Sequence, residues 1–195
     1  MEYAPAIIMG YLLGSIPVSL LVGRRHGVDL RVTGDGNPGA WNALEQLGPR
    51  RAAPAFLGDA AKALLAGLIG YAVGGWWVAF AGVAAAMVGH AFPAFASFRG
   101  GKAVMAFVGG GFALAPLAAV AALVVCGGVT AATSFKWGAR AGVFAFPAIQ
   151  LAVDPVERVI GTGALMCLIG ALFGLRALTS RSSRATRAAG AAPRA

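Results

Sequence analysis

Two short segments of the chain carry residues suited to holding phosphate. The first reads Gly34-Asp35-Gly36-Asn37-Pro38-Gly39-Ala40-Trp41-Asn42. Its glycines permit positive φ and can turn successive backbone N–H groups toward one point, a concavity that suits an anion. The run formally matches GxGxxG, but a dinucleotide fold needs a strand before it and a soluble βαβ unit around it. An apolar, helix-length stretch precedes it here, which excludes that reading. A plain Gly/Asn/Pro turn is the alternative.

The second segment reads Gly89-His90-Ala91-Phe92-Pro93, then Phe98-Arg99-Gly100-Gly101-Lys102. Gly100, Gly101 and Lys102 precede an apolar helix, so exposed N–H groups, the positive end of a helix dipole and an ammonium would meet there. Lys102 is the candidate catalytic cation and Arg99 a candidate phosphate ligand. The alternative for both is topological, as markers of the inner membrane face. His90 is a second candidate catalyst, against a plain hydrogen-bonded histidine. Asp59 and Lys62 stand at i, i+3 on one helix face and are expected to form a structural ion pair near the interface.

These segments must be positioned by membrane helices. Of 195 residues, 58% are hydrophobic and 12% charged, with 29 glycines; mean hydropathy is +0.76. Soluble domains run about 45–50% apolar and about 25% charged. The expected fold is an all-α, polytopic membrane bundle with closely packed helices. Two cysteines exclude a disulfide-stapled fold and a Cys-based zinc site. The net charge of +9 is read as inner-face loops meeting anionic headgroups rather than as a nucleic-acid surface.

Lys and Arg cluster over residues 24–51, 99–102, 136–140 and 176–194. With every cluster inside, the spans fall at 4–23, 55–74, 77–97, 103–115, 117–134, 142–153 and 158–175. That makes seven, with the N-terminus outside and the C-terminus cytoplasmic; five is the alternative count. The first span has Glu2 before it and Arg24-Arg25 after it, which reads as a retained span rather than a cleaved leader. Gly10/Gly14, Gly70/Gly74 and Gly170/Gly174 are small-residue pairs that would let helices approach closely. Residues 1–178 form one membrane-embedded domain, and 179–195 a basic, disordered cytoplasmic tail. Trp137, between Lys136 and Arg140, is expected in a third inner loop as an interfacial anchor.

The run Tyr11-Leu12-Leu13-Gly14-Ser15-Ile16-Pro17, then Gly27-Val28-Asp29-Leu30-Arg31 and the Gly34–Asn42 loop, resembles the bacterial acyl-phosphate-dependent glycerol-3-phosphate acyltransferases. The His90 and Lys102 segments resemble that family's second motif, and the Asp59/Lys62 pair also fits. The resemblance covers about Tyr11 to Val104. It implies a seven-helix fold in the bacterial inner membrane, with the motifs on the cytoplasmic face. It implies acyl transfer from acyl phosphate to glycerol 3-phosphate, giving lysophosphatidic acid and phosphate, with no cofactor and no metal. Carried over to this sequence, the phosphate ligands are Gly34, Asp35, Gly36, Asn37, Gly39, Asn42, Arg99, Gly100 and Gly101.

The chain departs from the family pattern at several of these places. Asp35 stands for a serine, Trp41 for a threonine, Glu45 for an arginine and Ala103 for a glycine. Trp137, Ala139 and Gly142 occupy a third motif that normally carries Tyr and Ser. No histidine follows His90, although the family brings a C-terminal His and Asn to its site. An added charge at Asp35 predicts little or no transfer by the natural sequence. Two other readings stay open: an impaired paralogue that binds lipid or partners, and a small transporter, which would need acidic residues deep in a span.

Overall fold

The computed structural model describes the backbone of residues 1–190 and the side chains of residues 1–175. Nine α-helices and a short 3₁₀ turn make up this described part, with no strand among the described residues. The helices are α1 (Tyr3–Gly14), α2 (Val18–Arg25), α3 (Ala40–Leu47), α4 (Pro49–Gly74), α5 (Trp76–Ala91), α6 (Val104–Leu114), α7 (Pro116–Ala132), α8 (Phe135–Val153) and α9 (Val156–Gly190). The 3₁₀ turn spans Ala94–Ala96.

Among the described residues, four stretches are long and apolar enough to cross a membrane: Tyr3–Arg25, Pro49–Gly74, Trp76–Ala96 and Val156–Leu175. Val104–Leu114 and Pro116–Ala132 are shorter apolar helices. The side chains of the tail at 179–195 lie outside the described residues.

The first expected span is not one helix. Pro17 has no N–H to continue the ladder, so the chain breaks over Ser15–Pro17 and restarts at Val18. The second starts six residues earlier than expected, at Pro49, where proline suits the first helical turn. The sixth starts at Phe135 rather than 142, so Lys136, Trp137 and Arg140 lie in the opening turns of α8, not in a loop. Arg140 covers the Trp137 ring at 5.0 Å, so the cation and the aromatic stabilise that end of the helix together.

Helix packing follows the small residues. Gly10 and Gly14 lie against the Gly82 and Ala86 carbonyls of α5, where a Cβ would collide with backbone. Gly109 of α6 sits equally close to the Ala60 carbonyl of α4. The Gly170/Gly174 pair does not behave as expected: a Cβ at either position would meet open space. The main apolar core joins α4 to α7 and α9 through residues such as Ala63, Val83, Met87, Phe107, Leu114 and Leu165. A separate cluster of Leu20, Leu30, Ala40, Ala43, Ala52, Ala55 and Ala96 lies beneath the first polar loop. Burying Leu30 completely fixes that loop to the bundle, at roughly 1.5–3 kcal/mol for one leucine.

Candidate functional site

The loop between α2 and α3 is ordered by its own polar groups. Gly27, Gly34 and Gly36 have φ of 75°, 64° and 71°, the left-handed region in which glycine is unstrained. The Asn42 side-chain amide donates to the carbonyls of Leu30, Thr33 and Asn37 at 3.0, 2.9 and 3.1 Å. Gly34 packs directly on this amide. Asn42, expected as a phosphate ligand, is therefore spent on shaping the loop. Asp29 accepts Arg31 Nε–H and Nη2–H at 3.2 and 3.1 Å. Those side-chain hydrogen bonds, with one from the Arg31 backbone N–H, hold the Asp29 carboxyl below its ordinary range.

Asp35 stands between two left-handed glycines. Its Oδ1 accepts the Asn37 backbone N–H at 2.9 Å. Its Oδ2 lies 3.5 Å from Lys102 Nζ, bridging the two motifs across 67 positions. Lys102 also lies over the Phe173 ring, 4.6 Å from its centroid. Sequence reasoning missed Phe173 because a lone aromatic in an apolar helix carries no local signal.

The second segment folds back on the end of α5. Gly101 N–H donates to the His90 carbonyl and Gly100 N–H to the Ala91 carbonyl, both at 3.1 Å. This corrects the expectation of exposed N–H groups: both glycines are buried and serve to close the loop tightly. A Cβ on Gly100 would collide with the His90 carbonyl, and one on Gly101 with the His90 ring. Arg99 is exposed. Ala103 adopts φ 59° just before α6, which explains in backbone terms why glycine belongs there.

Beneath both motifs lies a buried polar cluster. Asp59 and Lys62 are 1% and 4% exposed, well inside α4. The expected ion pair is present, and it is shielded by the surrounding helices. Lys62 Nζ is 2.9 Å from Asp59 Oδ1 and donates to the Ile16 carbonyl at 3.0 Å, in the break between α1 and α2. Ser19 Oγ–H donates to Asp59 Oδ2 at 2.6 Å. His90 Nδ1 is 3.4 Å from Asp59 Oδ1, and the histidine is 7% exposed. A cavity of ≈ 10 Å³ is lined by Ser19, Asp59, Lys62 and His90 together with Pro38 and Gly101. That is about the space of one water. The cavity is where the two loops and the polar cluster meet.

Two departures from the family pattern find partners locally. Trp41 stacks on Phe135 at 5.8 Å and 12°, and its Nε1–H donates to Glu45 at 2.8 Å. Asp35 is the departure that touches Lys102.

A family model described as glycerol-3-phosphate acyltransferase matches residues 4–184. The chain belongs to the glycerol-3-phosphate acyltransferase family. A relative of that name from Symbiobacterium thermophilum is 37% identical over 175 residues, 90% of this chain and 87% of the relative. One from Geobacter sulfurreducens is 38% identical over 152 residues, 77% of each chain. Against a Rubrobacter xylanophilus relative the chain is 46% identical and spans 56% of that relative's length.

The fold resembles two crystal structures of PlsY, an integral membrane glycerol 3-phosphate acyltransferase. Its glycerol 3-phosphate form matches with TM-score 0.76 and 28% identity over 95% of this chain and 93% of that one. The lysophosphatidic acid form gives 0.73 and 27% over the same shares. The chain is an all-helical membrane protein of this family.

Proposed function

We propose that this chain transfers an acyl group from acyl phosphate to glycerol 3-phosphate, from the cytoplasmic face of the bacterial inner membrane. The observation that carries this reading is the convergence of the Gly34–Asn42 loop and Lys102 on one anion. Here that anion is the Asp35 carboxylate, held by a backbone N–H and an ammonium. A phosphate at that place would use the same two donors. The family membership supports the chemistry. The acceptor hydroxyl oxygen forms the ester bond as the acyl carbon releases phosphate, and the hydroxyl proton ends on the phosphate.

Lys102 is the cation that holds phosphate charge, and positioning with charge stabilisation supplies the rate. His90, buried under Gly101, is a positioning residue for the Lys102 segment rather than a group that touches substrate. Trp41 and Glu45 are paired with each other and with Phe135, but Glu45 keeps its negative charge, so the transfer proposed here is slow and limited by weak acceptor affinity. In the bilayer we place seven crossings, with the N-terminus outside and all four basic clusters inside.

A calorimetric titration of the purified protein with glycerol 3-phosphate tests the site. Lys102→Ala should weaken binding about tenfold to a hundredfold, the equivalent of one charge-assisted hydrogen bond of roughly 1.5–3 kcal/mol. Unchanged binding by a folded Lys102→Ala protein would return Lys102 to a topological role.

A further inference from the structure

We propose that Asp35 is a specificity-determining residue: a resident anion in the acceptor's phosphate position that the substrate must displace. The inference rests on the acyltransferase reading and deepens it. Two donors from separate motifs meet on this one carboxylate, the Asn37 N–H at 2.9 Å and the Lys102 ammonium at 3.5 Å. The loop cannot easily carry Asp35 elsewhere. Gly34 and Gly36 set its flanks in left-handed conformations, and the Asn42 amide ties three carbonyls of the same loop together. Arg31, the nearest cation in the loop sequence, is engaged by Asp29.

A dianionic phosphate arriving at Lys102 therefore meets a competitor for both donors and a like charge beside it. For charges about 6 Å apart at an effective dielectric near 20, the repulsion amounts to roughly a hundredfold in affinity per unit charge. The Asp35 side chain is 46% exposed, so solvent screening brings this down to about tenfold for the dianion. An uncharged polyol such as glycerol bears no such penalty. Asp35 thus lowers the preference of the site for phosphorylated over neutral acceptors, which a serine or asparagine would restore.

Asp35→Asn separates charge from geometry, because the amide oxygen still accepts the Asn37 N–H. Asp35→Ser is the second variant. Each is made in the full chain, and binding of glycerol 3-phosphate and of inorganic phosphate is measured by calorimetry. KM for glycerol 3-phosphate and for glycerol is then determined with synthetic acyl phosphate as donor. Both variants should bind glycerol 3-phosphate about tenfold more tightly than the natural chain. Their KM should fall for glycerol 3-phosphate and not for glycerol.

If Lys102→Ala weakens phosphate binding while Asp35→Asn leaves it unchanged, the resident-anion role is wrong and the phosphate site stands. If neither variant alters phosphate binding, the phosphate site itself is wrong, and this inference with it. An equal fall in both KM values would also overturn the charge argument, since a merely structural change in the loop affects both acceptors.

Discussion

Replacing Asp59 by asparagine should destabilise this protein far more than its similar size suggests. The substitution keeps the shape and an acceptor for Ser19 but removes the charge that faces Lys62 Nζ at 2.9 Å. Lys62 is 4% exposed and would keep its hydrogen bond to the Ile16 carbonyl at 3.0 Å. Breaking a buried pair on one side costs about 3–5 kcal/mol, because the remaining charge is left uncompensated. At roughly 2–4 °C per kcal/mol for a chain of this size, that is about 6–20 °C in midpoint. Asp59→Asn with Lys62→Met removes both charges and should recover most of the loss. Thermal unfolding of the purified proteins in one detergent, followed by tryptophan fluorescence, gives the three midpoints. A single variant within about 1 kcal/mol of the natural chain would refute the argument. So would a double variant as unstable as the single, because the loss would then not come from the stranded lysine.

Two further outcomes are expected. Ala103→Gly should raise stability by about 1 kcal/mol, because alanine is strained at φ 59° and glycine is not; a midpoint that falls would contradict this. Single cysteines at the exposed positions Val32, Arg99 and Lys136, after replacement of Cys126 and Cys167, should react with an impermeant thiol reagent from the cytoplasmic side alone, and labelling at Arg99 from outside would overturn the topology.

The helical class and the approximate places of the membrane helices were legible because apolar runs and basic clusters are local signals. Boundaries were less so. The break at Ser15–Pro17 lies inside an apolar run, and its consequence is tertiary: a freed Ile16 carbonyl that meets Lys62. The polar loops were legible from their glycines and from the resemblance they carry, but not the use each residue is put to. Asn42 is occupied with loop carbonyls, and the N–H groups of Gly100 and Gly101 with the end of α5. Those pairings depend on how the chain returns on itself, which spacing does not encode. The same holds for Asp35 and Lys102, 67 residues apart. Sequence reading marked Asp35 as a charge that repels phosphate, and the fold adds that its carboxylate already holds the donors a phosphate needs. Ser19, the closest polar partner of Asp59, gives no sign in a stretch of leucines and valines. Gly109, against Ala60, was missed because no second glycine stands four residues away and the alanine that does, Ala113, is one of many in these helices.

The central claim is catalytic, and product formation tests it most directly. The purified natural chain, in detergent or lipid, is given synthetic acyl phosphate and labelled glycerol 3-phosphate, and lysophosphatidic acid is quantified across a wide range of acceptor concentration. The account predicts product above the no-enzyme rate, lost in Lys102→Ala, with saturation only at high glycerol 3-phosphate. Absence of lysophosphatidic acid at saturating acceptor, from a protein that is folded and binds glycerol 3-phosphate, would contradict it and leave a lipid-binding paralogue in its place.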